Sequence, residues 1–276
     1  MAASSVSVPV SGGSRRVAFV QGVVGIASFF LLWYLLVDKF GFWRFKQLPK
    51  LVPSVREWLS PNPTYGVSIF THEYYVHLIA STERVLFAFV AASLIGITVG
   101  ILCGWSRLIR AAIFPLLEIA RPIPVLAWIP VVVLLAPTRN FAVVTLTFLA
   151  AFFITTLNTL LGVKSIDEVY FRAARSLGFS EWAILRHVIV PGALPYIFIG
   201  LQIAIAACWF SLVASEIVAG ANGLGYKVWE SYYTVQFETM VAMMATLGLC
   251  GYISSALVRA LGRFLTRWRN SSMRNV

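Results

Sequence analysis

The chain has 276 residues, 59% of them hydrophobic and 12% charged, with a mean hydropathy of +0.82. A soluble domain is about a quarter charged, so composition excludes a soluble globular fold and points to an integral membrane protein. The net charge of +11 reads as an orientation signal in a bilayer and not as a nucleic-acid footprint, because no basic stretch is interleaved with aromatics as in a single-strand binding groove.

Residues 1–16 are rich in Ser, Gly and Val, end in Arg15-Arg16, and read as a disordered cytoplasmic tail. The apolar run 17–37 is long enough for one span. It is too long for the core of a cleavable signal peptide, so it reads as a retained helix with its N-terminus inside. Residues 38–71 carry Pro49, Pro53, Pro61 and Pro63 and form an external segment, with a short helix expected near 54–59. Trp43 and Trp58 suit a membrane interface. From residue 73 the pattern is first amphipathic and then, over 85–103, a second span. Gly96 and Gly100 in that span form a GxxxG, which permits close helix packing. Arg107 and Arg110 lie in a short loop placed inside.

The third apolar stretch, 111–135, holds Pro122, Pro124 and Pro130, each of which removes a backbone donor and is expected to kink or break the helix. A broken helix at membrane depth is tolerated only against protein or a water-filled cavity. Glu118 and Arg121 lie three apart and are expected to pair on one face, since an isolated charge at the bilayer centre costs about 2.5–3.5 kcal/mol on insertion scales. Residues 136–140 read as a tight external turn, and 141–162 as the fourth span, with Asn158 near its inner end. The fifth span, 194–218, contains Gln202, Ser211, Ser215 and Glu216. Glu216 snorkels, bonds an external loop or faces a water-filled path, and a structural role is favoured. Residues 219–238 form a second external segment, in which Gly220, Gly223 and Gly225 mark turns around a short helix. The sixth span is 240–261, followed by a basic tail. On this topology 13 Lys and Arg lie inside and 7 outside, which places both termini in the cytoplasm.

One polar island remains, residues 164–191, between spans four and five. Ala173, Ala174 and Leu177 are expected on one helical face, and Gly178 to stop that helix with a left-handed cap. Ser180 then caps a second short helix that runs to about Val188, and Pro191 is expected to end it. Carrying Lys164, Arg172, Arg175 and Arg186, the island is too polar to span a bilayer and reads as a docking element at the inner surface. The three cysteines, Cys103, Cys208 and Cys250, fall in apolar runs without CxxC spacing, which suggests neither a disulfide framework nor a zinc site. His72 and His77 lie five apart, a spacing that does not suit a shared metal on one helical face.

The run Ala173-Ala174-x-x-x-Gly178, followed after nine residues by Val188-x-Val190-Pro191, resembles the "EAA" loop of ABC-importer permeases. Arg172 stands where that family usually has Glu, and Val188 and Val190 where it has Ile and Leu. Further stretches resemble the nitrate/sulfonate/taurine/bicarbonate branch of these permeases, in order from residue 48 to 268: Ser81-x-x-Arg84, Arg121-Pro122-Ile123-Pro124, Trp128-Ile129-Pro130, Leu157-Asn158-Thr159, Pro191-x-Ala193-x-Pro195-Tyr196, and Gly223-Leu224-Gly225-Tyr226. Two stretches depart from it: Leu135-Ala136-Pro137-Thr138-Arg139 replaces a glycine-rich turn, and Gln202 stands where an Arg is common.

The resemblance implies an all-α polytopic bundle of about six transmembrane helices, the type I ABC importer permease fold, over 17–268, with tails at 1–16 and 269–276. It implies a multi-pass protein of the bacterial cytoplasmic (inner) membrane, a homodimer with a second permease copy, two cytoplasmic ATPase subunits and an external solute-binding protein. The substrate would be a small solute, such as nitrate, a sulfonate or taurine, or bicarbonate. ATP and Mg would sit on the partner ATPase, with no cofactor in this chain, and no GxxxxGK[ST] loop occurs. Arg172, Ala173, Ala174, Arg175, Gly178, Glu181, Arg186 and Pro191 would couple to the ATPase. Glu118, Arg121, Pro124, Trp128, Gln202 and Trp209 are candidates for the translocation path, set against a structural ion pair for the first two and simple packing for the aromatics. A stand-alone secondary transporter or channel is the alternative function. A membrane enzyme would need clustered His, Asp or Glu at a membrane face, and the three His form no such set.

Overall fold

A computed structural model describes residues 14–40 and 48–266. Residues 1–13 of the expected N-terminal tail, the whole of 269–276, and Trp43 lie outside the described residues. The expected tail nevertheless ends early, because helix α1 (Ser14–Trp33) already includes Arg15 and Arg16. It continues through a wide i→i+5 turn, Tyr34–Lys39. The described apolar side chains of α1 are exposed along its length, from Val17 to Leu32, so this helix stands apart from the core. At its end, the Asp38 carboxylate accepts from the Leu51 amide at 3.2 Å. That amide lies at the start of the short helix α2 (Leu51–Trp58), which forms where a short external helix is expected.

Helix α3 (His72–Trp105) is one unbroken element of 34 residues, about 51 Å at 1.5 Å per residue. It absorbs both the amphipathic lead-in and the second span, so its first turns stand beyond an apolar layer of about 30 Å. Ser106 caps α4 (Arg107–Ala120) by accepting from the Ile109 amide. The chain then breaks at 121–124, where Pro122 and Pro124 fall, passes through a 3₁₀ turn (Val125–Trp128) and resumes as α5 (Ile129–Leu135), bent 93° from α4. Pro130 causes no break. It sits in the first turn of α5, where its missing N–H has no partner to lose.

Thr138 caps α6 (Arg139–Lys164) through the Phe141 amide. Helix α7 (Glu168–Ser176) and α8 (Glu181–Ile184) make up the polar island. From α8 a second wide turn, Leu185–Ile189, leads directly into α9 (Val190–Ala219). Pro191 therefore does not end the second short helix, as its sequence position suggested, but lies in the first turn of α9. The i→i+5 turn makes room for a ring that would strike the carbonyl four residues back in an α-turn. Helices α10 (Leu224–Tyr233) and α11 (Phe237–Leu265) complete the described chain.

Five of these helical bodies are long and apolar enough to cross a membrane: α1 with its turn, α3, α6, α8 to α9, and α11. The bent pair α4 and α5 supplies a sixth apolar segment. The centre is α6, packed between α3 and α9, with α11 on α9 and both α2 and α10 on α11. Small residues set the closeness of the first contact. A Cβ on Gly100 would lie 2.6 Å from Thr159 Cβ, and one on Gly104 would lie 2.5 Å from Val163 Cβ. The GxxxG of the sequence is thus a GxxxGxxxG whose glycines face Thr155, Thr159 and Val163 of α6, themselves spaced by four. One apolar cluster fills the bundle toward the α10 end, around Leu212, Leu224 and Met243, and a second lies at the α7 end, around Ala174, Ile184 and Ile189.

Candidate functional site

Two polar clusters mark opposite ends of the bundle. At the α7 end, the polar island is held by short-range hydrogen bonds. Asp167 caps α7 by accepting from the Val169 amide at 2.9 Å. At the other end of α7, the Phe179 amide reaches the Ala174 carbonyl and the Gly178 amide the Arg175 carbonyl, each at 3.0 Å. These are the two bonds of a Schellman termination, and Gly178 sits at φ +77° as that motif requires. Ser180 then caps α8, accepting from Ala183 N at 3.3 Å.

The inward face differs from the sequence expectation. Only Ala174 is buried, against Ile184 and Ile189. Ala173 and Leu177, one turn apart, are exposed, Leu177 by 76%. Exposed beside them are Tyr170, Phe179 and Trp182. Arg172 and Arg186 are also exposed, and Arg175 pairs with Glu181 at 3.5 Å. The two-helix element therefore seats Ala174 and Ile184, with Phe171 beside them, and presents other aromatic and aliphatic side chains outward, which is the anatomy of a contact surface.

At the α10 end lies a buried polar hub. Glu216 of α9 is fully buried and accepts from Ser81 Oγ at 2.8 Å, from Arg84 at 2.7 Å and from the Gly225 amide at 2.8 Å. Arg84 also donates to Asn140 Oδ1 at 2.6 Å, to the Asn222 carbonyl at 2.7 Å and to the Asn222 side-chain oxygen. Ser81 Oγ accepts from the Leu224 amide at 2.7 Å, and His77 Nδ1 accepts from Gly223 N at 3.0 Å. The orphan amides at the start of α10 thus end on buried side chains, one of them a carboxylate at the positive end of the helix dipole. Gly223 is required here twice over: its φ is +125°, and a Cβ would collide with the Glu216 carboxylate.

Further out, Lys227 bridges Glu73 at 2.7 Å and Glu230 at 2.8 Å. Burial works against its charge, but the hydrogen bonds it donates to Glu230 and Glu73 outweigh it and hold the amine above the ordinary lysine range. Of the three alternatives for Glu216, the structure selects the bond to the loop that leads into α10. Sequence reasoning named Ser81, Arg84, Glu216 and the Gly223–Gly225 turn separately and did not join them. The available signal was a lone Arg and a lone Glu near the same end of two spans, which must find partners in an apolar medium.

The candidate path residues are not brought together within the described chain. Glu118 and Arg121 are exposed and form no ion pair with each other; Arg121 lies at the C-terminal cap of α4, next to the break. Pro124 is exposed and Trp128 half-buried in the break, which packs against α6 and α9. Gln202 is half-buried on α9. Trp209 belongs to the chain's own apolar core and donates from Nε1 to Ser254 Oγ at 2.9 Å, the surroundings of the packing role weighed against the path for it. Among the described residues no group of His, Cys, Asp or Glu is arranged to hold a metal.

A polytopic bundle with a broken apolar segment, a polar two-helix element at one end and a buried polar hub at the other fits the architecture of a membrane permease. A family model described as "Binding-protein-dependent transport system inner membrane component" matches residues 96–270. The taurine transport system permease protein TauC of Escherichia coli is 38% identical over 192 residues, covering 70% of each chain. The bicarbonate transport system permease protein CmpB of Synechococcus elongatus is 36% identical over 68% of each, and the nitrate import permease protein NrtB of Leptolyngbya laminosa 32% identical over 71% of each. An inward-facing structure of the MetNI methionine ABC transporter superposes with a TM-score of 0.58 at 20% identity, over 70% of this chain and 97% of that one. The chain belongs to the binding-protein-dependent inner-membrane permease family and has the type I ABC importer permease fold. As a member of that family it is a transporter permease subunit.

Proposed function

We propose that this permease forms the translocation path of an ATP-driven importer for a small anion of the taurine, bicarbonate or nitrate kind, working as a homodimer with two cytoplasmic ATPase subunits and an external solute-binding protein. The single observation that carries the coupling role is the outward face of the α7–Gly178–α8 element, which leaves Tyr170, Leu177 and Trp182 uncovered at one end of the bundle. The ATPase docks on this face, with Arg172, Ala173, Arg175, Glu181 and Arg186 around it. Ala174 and Pro191 fix its seating on the bundle instead of touching the partner. Nucleotide and Mg remain on the ATPase chain. Glu118, Arg121, Pro124, Trp128 and Gln202 contribute to the path between two protomers, where a face exposed in one copy is covered by the other. The substrate class is drawn from the similar permeases, and Arg121 in the break offers a cation for an anion to pass. Residues 17–268 form the membrane domain.

Gly178 provides the test. No side chain crowds it, so its φ alone restricts what can replace it. Asn tolerates a left-handed backbone and Trp does not. In cells co-expressing the ATPase, Gly178→Asn is expected to co-purify the ATPase at wild-type yield, and Gly178→Trp to insert in the membrane without it. A normal complex from Gly178→Trp removes the coupling assignment, and substrate uptake independent of any ATPase establishes the stand-alone transporter instead.

A further inference from the structure

Arg175, at the edge of the docking face, also borders a cleft beside α7. Between the α3–α4 junction, the end of α6 and α7 lies a cleft of about 480 Å³. Arg107, Arg110, Lys164 and Arg175 line it, with Glu168 as the one carboxylate and Trp105 beside them. Four cations from three elements thus face one acid. Their local pairing is sparse. Arg110 donates to the carbonyls of Cys103 and Gly104 at 2.7 and 2.6 Å, which fixes its guanidinium at the cleft and leaves one terminal nitrogen without a partner among the described residues. Lys164 stands over the Phe114 ring at 5.5 Å. Arg107 has no ion pair among the described residues, and Arg175 has only the exposed Glu181. Like charges so gathered repel, and orientation bias alone asks for basic residues on this side of the membrane, not for their convergence on a concave space.

We propose that this cleft binds a phosphate-bearing anion at the inner membrane surface. Guanidinium groups match phosphate oxygens in bidentate fashion, and basic pockets between helices on the cytoplasmic side suit anionic headgroups. A phosphate in the cleft bridges α7 to the α3–α4 junction and the end of α6, so it stiffens the very helix on which the ATPase docks. The inference rests on the cytoplasmic placement of this end proposed above. The phosphate belongs either to an anionic phospholipid or to a soluble phosphate.

Native mass spectrometry of the full-length permease in detergent separates these. Phosphatidylglycerol, phosphatidylcholine and inorganic phosphate are the probes. Wild type is expected to retain phosphatidylglycerol over phosphatidylcholine by roughly tenfold, with Arg107→Gln/Lys164→Gln losing that preference and Arg263→Gln, a basic residue outside the cleft, keeping it. Arg107→Gln alone, with wild-type thermal stability, is expected to lose part of it, which guards against misfolding of the double variant. If millimolar inorganic phosphate displaces the lipid from wild type, the site stands and soluble phosphate is its occupant. Absence of both lipid preference and phosphate competition overturns the proposal, as does an equal loss in Arg263→Gln. Because no ATPase is present, a failure here is distinct from a failure to co-purify the ATPase.

Discussion

Glu216 and Arg84 lie 132 residues apart in the chain and 2.7 Å apart in the fold. Every oxygen of the carboxylate is engaged, and Arg84 reaches Asn140 and Asn222 as well. A buried pair so satisfied adds little over an apolar pair of equal volume, but removing one partner strands a charge and costs about 3–5 kcal/mol. Glu216→Leu is therefore expected to lower the unfolding temperature of the detergent-solubilised protein sharply, and the double variant Glu216→Leu/Arg84→Met to recover most of the loss. A single variant as stable as wild type would contradict the hub's role. Each member of this hub is visible in the sequence as a residue out of place: an Arg at the edge of one span, a Glu in another, and glycines in a loop. Their meeting is not, because periodicity reports only which face a residue takes on its own helix, never which other helix lies opposite.

Helix boundaries are legible where the chain carries its own punctuation. Pro122 with Pro124 marks the break, Gly178 the end of α7, and Ser180 the start of α8, because each acts on backbone groups within four residues. Pro191 misleads for the same reason: its local effect is to remove a donor, and whether a helix ends or widens there depends on what packs around it. The buried edge of α7 is not legible, because Ala173, Ala174 and Leu177 share one broad side of the helix, and only the surrounding bundle selects Ala174. Packing between elements yields a sharper expectation. A branched side chain at Gly100 would force α3 and α6 apart, since its Cβ would also come within 2.7 Å of the Thr156 carbonyl oxygen. Gly100→Val is expected to cost at least about 1–3 kcal/mol, whereas Gly248→Val meets open space and is expected to be nearly neutral. The yield of monodisperse protein on size-exclusion chromatography compares them.

At the scale of the molecule, the distribution of basic residues and the apolar runs indicate the number of spans and a proposed orientation, because the bilayer acts on long stretches and averages over local detail. Introducing Ser180→Cys into a background lacking the three native cysteines tests that orientation. An impermeant thiol reagent is expected to label it only in inverted vesicles, and labelling in intact cells would invert the topology.

The wide turn at Leu185–Ile189 also has a mechanical meaning. Residues Glu181–Ala219 form one helical body of 39 residues, a pushrod about 58 Å long at 1.5 Å per residue. A tilt of about 5° about its α8 end sweeps the far end through roughly 5 Å at that length, more than the 2.7 and 2.8 Å contacts that hold Glu216 can stretch. Any such stroke delivered at Trp182 must either carry α3 and α10 along as cargo or uncouple them, so the hub sets whether the two ends of this permease travel in step.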